Sequence, residues 1–210
     1  LDHGATEKSV AMVRSEVLAV ISLALQPKNF WKVVNYRRPK KCTCISCELW
    51  RKTSFPAPCL FAYVAWEVEV ENLVTTEGKN DLLTNYFKGA AYTAAFYVGL
   101  VTNTGFTAYA AGDTAAQIGG TNGWTESVVY SNANRVTWTG GSAAAGSIDN
   151  SAAQASFNIN ASDTIRGGFL DTSNVKSGTA GKLYGEADFG TGNRAVLNGD
   201  TLQITVTLTV

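Results

Sequence analysis

A chain of 210 residues with 17 basic and 17 acidic side chains is long enough for one domain, or for a domain with an appendage. The charge balance argues against a general nucleic-acid or membrane-surface binder, which carries a basic excess. With 5 Trp, 8 Tyr and 9 Phe and only 16% charged residues, the chain is also unlike a disordered one.

Composition changes along the chain. Residues 1–70 hold all four Cys, all four Pro, the single Met and the single His, but only one of the 20 Gly. They are net basic, and the remainder is net acidic. This seam divides the chain into an N-terminal appendage, 1–70, and a domain, 71–210, with a boundary near Glu69–Leu73. The first residue is Leu1, not Met. Processing, a fragment, or translation from upstream of the natural start are three readings. The third accounts for the unusual composition of the first segment, as a stretch that is not natural coding sequence.

In residues 6–27, Val10, Val13, Val17, Val20 or Ile21 and Ala24 recur at three- and four-residue spacing, which predicts a helix stopped at Pro27. Its largely apolar stretch, 17–25, is nine residues, against about 20 for a membrane span. Glu16 before it and the sequence LQPK around Pro27 do not make a signal peptide. The basic run RRPKK at 37–41 reads as a solvated loop around Pro39 and not as a nucleic-acid patch. His3 reads as a frayed terminal residue. Cys42, Cys44, Cys47 and Cys59 place four thiols within eighteen residues. A structural zinc site pairs its ligands in two tight knuckles, and this spacing does not. No metal or cofactor is assigned; disulfides and free thiols both remain open.

Asn80 or Asp81 is the expected cap of a short helix running through Tyr86–Phe87 and ending at Gly89. Its buried face would be Leu82, Leu83, Tyr86 and Phe87, and it reads as a plug over the open end of a sheet pair. From there the apolar period changes from helical to two. Strands are expected in 92–101, 104–114, 124–131, 134–140, 153–159, 164–173, 181–190 and 200–210. Asp113 reads as the cap of one helical turn, 114–118. Ala153, Ala155, Phe157 and Ile159 share one strand face, as do Leu202, Ile204, Val206, Leu208 and Val210. The pair Gly167–Gly168 suggests a bulge or a close backbone approach. Asn198-Gly199-Asp200 is a hairpin turn signal, and Ala111-Gly112-Asp113 marks a second turn. About seven or eight strands broken every eight to twelve residues predict a mainly β domain. Its expected form is an antiparallel β-sandwich, jelly-roll or immunoglobulin-like, with one or two short helices.

Few catalytic chemistries are open to residues 71–210. They contain no His and no Cys, which excludes Ser-His-Asp and Cys-His nucleophiles there. The glycine-rich stretches GGTNG and GTGN lack the strand–loop–helix setting of a phosphate cradle. Glu186 and Asp188, two apart on one strand, are the surviving pair for glycoside hydrolysis or calcium. The plainer reading puts both on a wet face, with Ala187 and Phe189 inward. Trp124, Tyr130 and Trp138 are large amphipathic aromatics, either a stacking platform for sugars or a protein partner, or core residues.

The segments ENLVTTEGKNDLLTNYFKGAAYTAAFYVGLV, YAAGDTAA, GWTE, GGFLDTSNVKSGTAGKLYGEADF and NGDTLQITVTLTV, taken in order over 71–210, resemble a group of small virion proteins of tailed bacteriophages. Chains of that group begin near the equivalent of Glu71, so residues 1–70 depart from it. The resemblance implies a non-enzymatic β-sandwich of the particle with no catalytic residues. The implied roles are a capsid decoration (cement) protein bound to the major capsid protein, or a tail-associated protein. Assembly as a homo-oligomer, a trimer at quasi-three-fold positions, is the corresponding expectation, on the virion surface after synthesis in the bacterial cytoplasm. A carbohydrate-binding or adhesin module is the alternative.

Overall fold

The computed structural model describes residues 30–37, 63–87, 95–190 and 194–209. Twelve strands are β1 (Phe30–Arg37), β2 (Tyr63–Glu71), β3 (Leu73–Val74), β4 (Phe96–Thr102), β5 (Glu126–Ser127), β6 (Val136–Trp138), β7 (Ser147–Asp149), β8 (Ala155–Asn158), β9 (Asp163–Asp171), β10 (Leu183–Asp188), β11 (Ala195–Val196) and β12 (Thr201–Thr209). Among the described residues one α-helix, α1 (Thr76–Leu82), runs on into a π-helical turn, Leu83–Phe87. The described protein is mainly β, with all strand pairs antiparallel.

The first sheet has the order β2-β1-β12-β7, with β8 also paired to β12. The second has the order β3-β10-β9-β4-β5, with β11 on β9 and β6 on β4. Between β2 and β3 the chain crosses from the first sheet to the second over one residue, Asn72, and it crosses again between β6 and β7, β8 and β9, and β11 and β12.

The compositional seam does not divide the core. In β1, Trp31 and Val33 lie opposite Val206 and Ile204 of β12 on one side and opposite Val70 and Val68 of β2 on the other. Trp31 and Val33 are fully buried in the main core, with Trp66, Val68 and Val70 packed against it. Two strands of the first 70 residues therefore belong to the first sheet, and the boundary near Glu69–Leu73 falls at a sheet crossover. The alternation in VAWEVEVE, apolar inward and Glu67, Glu69 and Glu71 outward, is a strand pattern that composition obscured. The helix expected at 6–27 and the four cysteines lie outside the described residues.

The main core draws on both sheets: Trp31, Phe157, Leu202, Ile204 and Val206 from the first, Val98, Leu100, Leu170 and Ala187 from the second. A second cluster, Val101, Ala115, Ile118, Trp124, Phe169 and Leu183, covers the opposite face of the second sheet. Adjacent residues such as Leu100 and Val101, or Phe169 and Leu170, belong to different clusters, as a period of two requires. The second sheet is thus buried on both faces. The segment 104–114, expected as a strand, is instead loop, and with 115–124 it forms that outer cover.

The glycine pair in β9 permits this. A Cβ on Gly168 would lie 2.6 Å from Trp31, and one on Gly167 would lie 2.1 Å from the Tyr109 hydroxyl. One aromatic ring approaches the strand from each side. A bulge follows at once, where the β4–β9 register shifts between Val101 and Thr102.

Helix α1 departs from its expected form. Its cap is Thr75, whose hydroxyl accepts from the Gly78 amide at 3.1 Å and donates to the Leu183 carbonyl. Asp81 accepts instead from Asn85, at 2.8 Å, and from the Tyr184 hydroxyl, at 2.5 Å. The helix seats on β10 through Gly78, where a Cβ would meet the Tyr184 backbone at 2.6 Å. Its apolar residues point the other way: Leu82, Leu83 and Tyr86 are 41%, 54% and 75% exposed. Asp113 does not cap residues 114–118 either; the Ala115 amide donates to Glu77 of α1, at 2.9 Å. Both expected turns are present, closed by Asp200 N to Leu197 O and by Asp113 N to Ala110 O, each 2.9 Å.

Candidate functional site

Burial separates the three aromatic candidates. Trp124 and Tyr130 are each 1% exposed. The Trp124 ring lies 5.3 Å from that of Phe169 and its indole N–H donates to Asp113 at 3.0 Å. Tyr130 packs edge-on against Phe157 at 5.0 Å, under the Lys176 ammonium at 3.8 Å. Neither presents a face to a sugar or partner, so for both the core reading holds. Trp138, on β6, is half-buried; it meets Phe96 edge-on at 6.1 Å and donates to the Val206 carbonyl at 3.2 Å.

Glu186 and Asp188 are not equivalent. Asp188 is partly exposed and pairs with Arg166 at 2.7 Å. Glu186 is fully buried, because the loop cover lies over its face of β10; the wet-face reading fails for this residue. Burial pushes its carboxyl up to about 9, helped by the charge of nearby Asp113 and opposed by the Trp124 indole. Asp113 already accepts from Trp124 and from the Ala110 amide. Glu186 therefore carries the proton at neutral pH. The two carboxyls lie beneath a loop and do not flank a cleft.

A second buried network was invisible in the sequence. Arg135 joins Glu126 through two bonds, Nε to Oε1 at 3.0 Å and Nη2 to Oε2 at 2.8 Å. It also donates to the carbonyls of Ser173 and Gly178, at 3.1 and 2.9 Å, and lies over the Phe169 ring at 4.8 Å. Glu126 accepts in addition from the Ser177 amide at 2.7 Å. Burial raises Asp171, 3.4 Å from Arg135, to about 7, although the Ser173 amide and the Arg135 charge oppose it. The arrangement staples the loop 172–181 to the second sheet. Arg37, read as part of a solvated basic loop, ends β1 and pairs with Asp200 at 3.0 Å, fixing the turn before β12.

The open concavity lies elsewhere. A pocket of about 360 Å³ forms where α1, the second sheet and the β7–β12 edge of the first sheet meet. Phe96, Trp138, Tyr184, Ile148 and Leu208 give it apolar walls, Leu82 and Lys79 lie at it from α1, and Asn72 is its buried polar group. Sequence reading counted one of these residues, Trp138, among its interface or ligand-platform candidates. Among the described residues no group of three or more His, Cys, Asp or Glu is placed to hold a metal ion, and no helix is long and apolar enough to cross a membrane.

Comparison with family models, with curated proteins and with solved structures finds no match to this chain.

Proposed function

We propose that this protein is a non-enzymatic structural component of a bacteriophage particle. In this reading it is an antiparallel β-sandwich, jelly-roll or immunoglobulin-like, that decorates the capsid by docking across neighbouring major capsid subunits. The ordered resemblance over 71–210 motivates the reading. The two antiparallel sheets that contribute to one core are consistent with a sandwich.

The observation that carries it is the outward apolar end of α1. Leu82, Leu83 and Tyr86 expose large apolar surface within one helical turn of one another, so they form a continuous patch. Clustered exposed apolar side chains mark contact surfaces. The buried charges, by contrast, are engaged in holding loops: Arg135 with Glu126 and Asp200 with Arg37. Such a protein acts by adhesion, and many copies on one particle convert a modest affinity into firm attachment. A trimer at quasi-three-fold positions suits this use.

Quantitative mass spectrometry of purified particles tests the proposal. A copy number comparable with that of the major capsid protein is expected. A few copies per particle would move the protein to the tail, and absence from intact particles would end the reading.

A further inference from the structure

Two Asn-Gly pairs lie among the described residues, Asn122-Gly123 and Asn198-Gly199, and the fold holds them differently. The reaction open to such a pair is ring closure, in which the glycine amide nitrogen attacks the side-chain carbonyl carbon of the asparagine before it. Glycine has no Cβ to obstruct that approach, and the attacking atom belongs to the next residue, so no outside reagent has to reach the site. The nitrogen must give up its proton, and a hydrogen bond from that N–H to a carbonyl must break first. Asn198 is exposed, but the Gly199 amide donates to the Ile159 carbonyl at 2.8 Å. Asn122 is half-buried, and the Gly123 amide donates to no protein group among the described residues. The Asn122 carboxamide itself is tied at one end only: Nδ2 donates to the Thr114 carbonyl at 3.2 Å, while buried Oδ1 has no partner among the described residues.

We infer that Asn122 is a site of spontaneous deamidation, and that its conversion loosens the outer cover, residues 104–124. Gly123 N forms a bond to Asn122 Cγ, the Cγ–Nδ2 bond breaks, and ammonia leaves with the proton given up by the glycine amide. Water then opens the five-membered imide, at the side-chain carbonyl to give aspartate or at the main-chain carbonyl to give isoaspartate. Nothing is oxidised or reduced, and water is the only co-reactant. Either product undoes the local packing. An aspartate replaces the Nδ2 donor by an acceptor facing the Thr114 carbonyl, and its second oxygen is a charge-bearing atom buried without a donor, which is unfavourable. An isoaspartate lengthens the backbone by one methylene beside Gly123, whose carbonyl accepts from Thr107 N at 2.9 Å and Thr107 Oγ1 at 3.0 Å. Two residues on, the Trp124 indole ties the cover to Asp113 at 3.0 Å. The inference is independent of the particle role proposed above.

The two pairs make an internal comparison. The full chain, folded, is incubated at mildly alkaline pH and sampled over days, and peptide mapping by mass spectrometry follows each asparagine. Asn122 is expected to convert about tenfold or more faster than Asn198, the equivalent of about 1.4 kcal/mol in barrier, although Asn198 is the more exposed. In urea-unfolded protein the difference should vanish, because the Gly199 hydrogen bond is gone. Limited proteolysis across 104–124 should accelerate as Asn122 converts. Asn122→Asp should be cleaved there more readily from the start, and Asn122→Gln, which cannot close a five-membered ring, should keep its resistance through the same incubation. Conversion of Asn198 as fast as that of Asn122 in the folded protein, a difference that persists in urea, or a cover no easier to cleave after Asn122 has converted would each overturn the assignment. Should either variant not fold, the two conversion rates and the proteolysis of aged unmodified protein decide it.

Discussion

Arg135 and Glu126 form a two-bond ion pair, 2.8 and 3.0 Å, with side chains that are 0% and 1% exposed. Removing one partner strands a buried charge, which costs about 3–5 kcal/mol. Arg135→Met is therefore expected to lower stability by that order in urea unfolding. The combined change Arg135→Met, Glu126→Leu should lose less than Arg135→Met alone, because Glu126 is no longer left as an unpaired buried charge. Proteolysis within 172–181 should also accelerate in Arg135→Met, since the carbonyls of Ser173 and Gly178 lose their donor.

Stability should fall as pH rises from about 5 to 9. Glu186 moves from an ordinary 4.5 to about 9 in the folded protein, and Asp171 from 3.8 to about 7. Both therefore bind protons more tightly when folded. Their contribution is complete below the unfolded values and is lost as pH climbs through the folded ones. Asp200 works in the opposite sense. Burial raises it, but hydrogen bonds from Arg37 and Asn35 outweigh burial and hold it below 3.8, so its contribution is present above 3.8 and is lost as pH falls through the lower folded value. Thermal unfolding across pH 5–9 measures the slope, and Glu186→Gln should flatten it.

Gly168→Ala should destabilise by about 1–3 kcal/mol, the usual cost of overpacking. The added methyl would meet Trp31 at 2.6 Å and the Gly99 carbonyl at 3.1 Å. Thermal unfolding is the measurement, and an unchanged melting temperature would mean that the first and second sheets are not pressed together at this point.

Trp124→Ala should cost about 3–5 kcal/mol, as for other buried large aromatics, and should raise proteolysis across 104–124, whose cover it anchors. A folded, fully stable Trp124→Ala variant would contradict its place in the outer cluster.

Leu83→Ser should leave stability within about 0.5 kcal/mol, as for exposed positions, yet weaken binding to assembled shells lacking this protein. Sedimentation with such shells reads the loss directly. Undiminished binding would move the contact surface away from α1.

Local chemistry was sufficient for much of the molecule. The alternation in 200–210 made β12 legible, Leu202, Ile204 and Val206 being buried as expected. Ala155, Phe157 and Ile159 were readable for the same reason, and the turn at Asn198-Gly199-Asp200 follows from a residue held at φ +90°. The close approach at Gly167–Gly168 was legible because glycine leaves room that other residues fill. The candidate site was barely legible, through Trp138 alone. Asn72 gave no signal, since a carboxamide between two strands is ordinary in sequence; only the three-dimensional arrangement leaves it with no partner among the described residues.

What the amino-acid order by itself determined is where strands run and turn, because a period of two and a glycine turn are properties of a few neighbouring residues. Only the tertiary structure decided which faces are dry. A strand exposes one face until another layer covers it, and here the loop 104–124 covers the outer face of β9 and β10. That cover buries Glu186 and Trp124, while Leu82, Leu83 and Tyr86 stay exposed. The same long-range pairing brought Phe30–Arg37 and Tyr63–Glu71 beside β12, across a compositional seam, because hydrogen-bonded registry and a shared apolar core outweigh the average composition of the segments they join.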